Sequence, residues 1–210
     1  MHQHVEPLDS NQPSGNNKPL PPGALWVSAS DEQLLRAMVA GEGSAFDELF
    51  ARYSTLICSF LSRFVASKCD PEDLLQETFL RVLTHAKDFR SGMPIRPWLL
   101  MIARNVALTA LKKCKQRGEL EVQTDLSDWR PPQAHSPSED PSSRIELQEQ
   151  KARVLAALEE LPPLHREVLV LITLNGFSYA EVASITGDSE STLRSRVFNA
   201  LKKLRDRLKE

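Results

Sequence analysis

Carboxylates crowd one short stretch of the chain: Asp70, Glu72, Asp73 and Glu77, with the amide of Gln76 among them. Acids this close could hold magnesium and serve catalysis. They open a single helical pattern, however, with no phosphate-cradling loop and no second acidic strand, so an enzyme is not the expectation. His2 and His4 lie in a stretch too polar to fold and read as incidental, not as metal ligands. Cys58, Cys69 and Cys114 are odd in number and widely spaced, each in or beside a helical pattern. They suggest reduced thiols in a cytosolic protein, not a disulfide frame or a zinc site. No catalytic residue, metal or cofactor is expected.

The remaining chemistry is recognition. Arg104, Lys112, Lys113, Lys115 and Arg117 follow one another with no acid between them. A helix C-terminus favours cations, but five exceed what its dipole needs, and a phosphate-tracking surface is the better account. Further on, Ser191, Arg194, Ser195, Asn199 and Lys202 fall on one side of a helical pattern. The other side, Leu193, Val197, Leu201, Leu204 and Leu208, reads as a buried stripe.

Two helix starts and one turn position that second set. Ser178 and Glu181 form an S-x-x-E capping box, so a helix begins at Tyr179. Gly187 stops it, because glycine accepts the left-handed conformation, and Ser189 caps the next helix. A short helix, a glycine turn and a longer helix with a basic face describe a helix-turn-helix, whose second helix would enter a DNA major groove. Upstream, Ser30 and Gln33 open a first helix that stops near Gly41, and Ser44 is expected to start a long second one. That helix carries half of the chain's eight phenylalanines, Phe46, Phe50, Phe60 and Phe64, as core. Asp70-Pro71 begins a third, with Leu75, Phe79, Val82 and Ala86 inward and the acids of the first turn complementing the dipole. Phe89–Pro94 is a loop. Pro97 is expected to start a fourth helix, with Trp98, Leu99, Ile102, Ala103 and Val106 on its buried side.

These elements sort into an all-α chain of two small helical domains. Residues 1–29 hold five prolines among polar residues and read as a flexible tail. Residues 30–117 form the first domain, 118–142 a flexible, acidic, proline-rich linker, and 143–210 the second domain. In that second domain Leu164, Val168, Leu169, Leu171 and Ile172 predict one helix reaching Asn175. The formal net charge of −2 hides a segregation. Residues 30–117 carry +3, 118–150 carry −6 and 151–210 carry +2. Two basic blocks around an acidic connector fit a nucleic-acid partner. No apolar run approaches the roughly 20 residues that a bilayer requires, and the N-terminus lacks the pattern of a signal peptide, so a cytoplasmic chain without membrane insertion is expected.

Four motifs, in order, resemble those of the extracytoplasmic-function (ECF) group of the sigma-70 family of bacterial transcription factors. DPEDLLQETFLRV (residues 70–82) is similar to the family's D-x-E-D-x-x-Q-E-x-F. WLLMIARNVALTALKK (98–113) resembles the helix built on W-L-x-x-I-A-R-N. LEELPPLHREVLVL (158–171) and GFSYAEVASITGDSESTLRSRVFNALKKLR (176–205) resemble its C-terminal domain. The resemblance implies a promoter-specificity factor for core RNA polymerase, with a region 2 helical bundle and a region 4 helix-turn-helix. Asp70, Glu72, Asp73, Gln76 and Glu77 would dock on the clamp helices of the largest subunit, and region 4 would meet the flap. Phe89, Arg90, Arg96, Trp98, Arg104, Asn105, Lys112 and Lys113 would hold and melt the downstream promoter element. Ser178, Ser191, Thr192, Arg194, Ser195, Arg196, Phe198 and Lys202 would read the upstream element. An anti-sigma partner is a further possibility of the family. The chain departs from the family pattern at Thr109, Asp188, Ser191 and Asn199, positions that bear on promoter preference. The competing reading is a helix-turn-helix regulator that acts without polymerase, with residues 70–113 as a ligand or dimer module.

Overall fold

The computed structural model describes residues 26–117 and 141–209. Most of the expected tail and most of the expected linker therefore lie outside the described residues. Among the described residues every regular element is a helix. Helix α1 (Asp31–Val39) starts at the expected capping box: Ser30 Oγ accepts from Gln33 N, and Ser30 N donates to Gln33 Oε1. The chain before it departs from the expected boundary at residue 30. Trp26 Nε1 donates to Ser44 Oγ at 2.9 Å, and Arg52 donates to the carbonyls of Trp26, Val27 and Ala29. An indole and a guanidinium thus fix a segment that its composition alone marks as a tail. With Ser44 engaged by Trp26, helix α2 (Gly43–Val65) begins one residue early, and Glu42 stands at its N-cap without a side-chain cap bond.

Helix α2 buries Leu49, Ile57, Phe60, Leu61 and Phe64 completely. Against it lie α3 (Pro71–His85), capped by Asp70 with Pro71 in its first turn, and α4 (Ile95–Arg117). Helix α4 starts two residues before Pro97, which fits because proline is tolerated in a first turn, where no intrahelical N–H bond is lost. These four helices make the first lobe.

The second lobe holds α5 (Pro141–Glu159), α6 (Pro163–Leu169), α7 (Tyr179–Thr186) and α8 (Glu190–Leu208). The helix expected to run to Asn175 instead widens into a π turn over Val170–Leu174, with Asn175 N donating to Val170 O at 3.0 Å. Arg166, 2% exposed, closes the turn between α5 and α6. Its guanidinium donates to the carbonyls of Leu158, Glu159 and Leu161, at the end of α5 and just beyond it. The buried stripe of α8 differs from the expected one in one place. Leu193 and Ala200 are fully buried and Val197 and Leu204 half-buried, whereas Leu201 is 48% exposed. At about 100° per residue, position 200 returns to within about 20° of Leu193, while position 201 lies about 80° away.

The two lobes share one apolar core. Val168, Val170, Leu171, Phe177, Val182, Ile185 and Leu193 of the second join the cluster of Phe60, Phe64, Leu99 and Ala103 of the first. Helix α7 lies along α4. A smaller cluster, Leu158, Leu161, Leu169 and Ala200, seals α5, α6 and α8.

Candidate functional site

Three surfaces carry the residues singled out from the sequence. The first is the start of α3. Asp70 Oδ1 accepts from Glu72 N at 2.8 Å, so this carboxylate is spent on the helix cap. Glu77 pairs with Arg81 at 2.7 Å, one turn on. Glu72, Asp73 and Gln76 stand exposed beside them. The ridge continues into side chains that the sequence reading did not assign to docking: Leu80 is 60% and Leu83 45% exposed. Their positions four and seven residues after Gln76 were the available signal. An acidic and amide ridge that runs into exposed leucines can receive cationic side chains and bury apolar surface at once.

The second surface is the loop before α4 and one side of that helix. Helix α1 holds the loop: Gly92 N donates to Glu32 Oε1 at 2.6 Å, and Arg36 Nη2 to Ser91 Oγ at 3.2 Å. Gly92 has φ +85°, a conformation natural to glycine in such a turn. Between loop and helix lies a groove of about 410 Å³ lined by Asp31, Glu32, Phe89, Gly92, Met93 and Pro94, among others. Trp98 stacks edge-on against Phe89 with ring centres 5.1 Å apart, which makes Trp98 a wall of the loop. Glu32 and Arg36 were not singled out from sequence, because their roles depend on a contact some 60 residues away.

The polar residues expected on this surface separate into two groups. Arg90, Asn105, Lys112 and Lys113 are exposed. Arg96 lies over the Phe177 ring of the second lobe, 4.9 Å from its centre. Arg104 is engaged across the lobes: its Nε donates to Glu167 Oε1 and its Nη2 to Oε2. The two side chains are 14% and 0% exposed. Burial pushes the Glu167 carboxyl above its ordinary range, and the Arg104 guanidinium opposes that shift. Glu167 was missed in the sequence, although a lone acid inside the run Leu164–Ile172 was a visible signal.

The third surface is α7–α8. Ser178 and Glu181 exchange the expected cap bonds, and these hold the Glu181 carboxyl below its usual range. Gly187 adopts φ +78°. Ser189 Oγ accepts from Thr192 N, and the hydroxyls of Ser191 and Thr192 lie 2.9 Å from it. Arg194 is exposed, lies over the Tyr179 ring and pairs with Glu190 at 3.2 Å. Arg196 is held by both carboxylate oxygens of Asp188. Ser195, Phe198 and Lys202 are exposed, Phe198 at 70%. The helix thus offers hydroxyls, the exposed guanidinium of Arg194, the Lys202 ammonium and a bare ring to a groove.

Among the described residues no group of three or more His, Cys, Asp or Glu could hold a metal ion, and no helix is long and apolar enough to cross a membrane.

Residues 49–117 match the model of the Sigma-70 region 2 family, and residues 151–204 that of Sigma-70, region 4. The chain is 35% identical to the RNA polymerase sigma factor CarQ of Myxococcus xanthus, over 81% of this chain and 92% of that protein. It is 30% identical to the ECF RNA polymerase sigma factor SigE of Mycolicibacterium smegmatis, over 87% of this chain and 71% of that protein. Among solved structures it is similar to CnrH in complex with the cytosolic domain of CnrY. That likeness has a TM-score of 0.61 at 26% identity and covers 85% of this chain and 97% of the matched one. It is also similar to the sigma factor RpoE bound to the anti-sigma factor NepR from Bartonella quintana. Here the TM-score is 0.57 at 30% identity, over 78% of this chain and 96% of that one.

Proposed function

The chain belongs to the extracytoplasmic-function group of the sigma-70 family, alternative sigma factors that direct core RNA polymerase to promoters, and on that premise we propose how its surfaces divide the work. The α3 ridge, led by Asp73 and Gln76 and extended by Leu80 and Leu83, docks on the clamp helices of the polymerase. The groove beside Phe89–Pro94 and the polar side of α4 hold the melted downstream element. Unstacking a base costs a few kcal/mol, which a pocket with an aromatic wall offsets. Helix α8 reads the upstream element through Ser191, Arg194, Ser195 and Phe198. Arg196 orients the turn through Asp188, and Lys202 meets phosphate.

The observation that carries this reading is an asymmetry of exposure. The docking ridge is open, whereas Arg104 is covered by the second lobe and Arg96, itself exposed, lies against the Phe177 ring of that lobe. Polymerase therefore engages first, and separation of the lobes then frees α4 for the promoter. Residues 70–113, which the regulator reading needed as a ligand or dimer module, lie within the region 2 match. The similar CnrH and RpoE structures are complexes with partner proteins, and a partner of the anti-sigma class would hold the two lobes of this chain together.

A pair of substitutions tests the division. Asp73→Arg abolishes binding to core polymerase and leaves the fold intact, because Asp73 is exposed. Arg194→Ala spares polymerase binding and weakens discrimination between promoters by roughly 1–3 kcal/mol, the scale of a bidentate base contact. Polymerase pull-down and run-off transcription on promoter variants read both effects. Exchanged outcomes would overturn the assignment.

A further inference from the structure

Two of the three cysteines meet in space. Cys69 and Cys114, 45 residues apart in sequence, bring their Sγ atoms to 3.4 Å, and both are half-buried. Cys114 also faces the Lys68 carbonyl at 3.5 Å. Cys58 differs: it is 4% exposed, and burial pushes its thiol up, away from the reactive thiolate.

A disulfide needs sulfurs about 2.05 Å apart, so the pair must close by little more than 1 Å. Both sides can yield. Cys69 sits in extended backbone (φ −147°, ψ 150°) between a single 3-10 turn and the cap of α3. Cys114 lies near the end of α4, between the exposed Lys113 and Lys115. Where thiols are kept reduced, such a bond is characteristically transient and redox-sensing.

We propose that Cys69 and Cys114 are an oxidation-responsive pair that a hydroperoxide converts to an intramolecular disulfide, and that closure weakens docking of α3 on core polymerase. One sulfur takes an oxygen atom from the hydroperoxide, which leaves as the alcohol (water, for hydrogen peroxide), and becomes a sulfenic acid. The second thiol displaces that hydroxyl as water and forms the S–S bond. Two thiols lose two electrons and two protons, and the hydroperoxide takes up both. A dithiol reductant reverses the step by exchange. The consequence follows from chain connectivity. Cys69 immediately precedes Asp70, whose carboxylate caps α3 through Glu72 N. Drawing Cys69 towards α4 displaces that cap and the first turn bearing Glu72 and Asp73. This consequence rests on the docking reading of the ridge, whereas formation of the bond does not.

The test uses the full chain, reduced and then exposed to a few equivalents of hydrogen peroxide. Peptide mapping without reductant is expected to show one species joining Cys69 to Cys114, two hydrogens lighter than the separate peptides. Oxidised wild type is expected to bind core polymerase about fivefold more weakly, the scale of a lost helix cap, and to recover with dithiothreitol. Cys114→Ser is expected to bind like reduced wild type with or without peroxide, and Cys58→Ser to respond as wild type does. Sulfinic acid at single cysteines, links between chains, a bond to Cys58, or a Cys69–Cys114 bond with unchanged affinity would each overturn the proposal. A reduced chain that fails to bind polymerase would overturn the docking reading instead, and the peptide map would still decide the bond.

Discussion

Glu167 has no exposed surface, and the guanidinium that neutralises it comes from the other lobe. Breaking a buried ion pair by removing one partner typically costs about 3–5 kcal/mol, because the remaining charge is left without water or counter-charge. Here the chain has an alternative, since parting the lobes would return Glu167 to solvent. Arg104→Ala is therefore expected to open the molecule at neutral pH. The pH dependence has a definite sign. Burial raises the pKa of Glu167 in the closed form above its ordinary 4.5, and loss of Arg104 removes the opposing influence. A raised pKa means that protonation favours the closed form. That contribution is complete below the unfolded value and is lost as pH rises through the folded one. The variant should thus reclose as the solution is acidified towards the ordinary range of Glu167, while wild type changes less. Small-angle scattering across that range would show it. An Arg104→Ala chain with the wild-type radius of gyration at neutral pH would contradict the role given to the pair. His165, whose pKa burial lowers, is common to both proteins and cancels in the comparison.

At the scale of elements, caps and turns carried most of the legible information. Ser30 with Gln33, Asp70 with Pro71, Ser178 with Glu181, and Ser189 all cap the helices that their spacing predicts. Such bonds join residues two or three apart, so local sequence suffices to specify them. Two glycines separate backbone conformation from space. An added Cβ would meet nothing within 4 Å at Gly43 or at Gly187. Gly187 has φ +78°, whereas Gly43 is the first residue of α2. Gly187→Ala is expected to lose about 1 kcal/mol and Gly43→Ala to gain a few tenths, both read by urea denaturation. Equal effects would mean that the turn is not set by the left-handed residue. Leu201 illustrates where pattern reading slips. Residue type and spacing point to the leucine, but the angle around the helix turns Ala200 inward, and the close approach of α5 and α6 suits the smaller side chain.

For the whole molecule, the shared core makes closure the resting arrangement of the free chain. The isolated protein is accordingly expected to bind a promoter duplex weakly and to direct transcription from it once core polymerase is added. Equally tight promoter binding with and without polymerase, measured at one fixed salt concentration, would argue against a closed resting form.

The order of helices, the helix-turn-helix and the acidic ridge were fixed by the sequence itself, because they depend on neighbours within one or two turns. Packing decided which of those groups are available. Arg104 and Lys112 look alike as cations on one helix, yet one lies against Glu167 and the other is exposed. Cys69 and Cys114 look isolated at 45 residues' separation and meet at 3.4 Å. Neither pairing has a local signature, since each arises where helices from distant parts of the chain are pressed together by the apolar surface they bury.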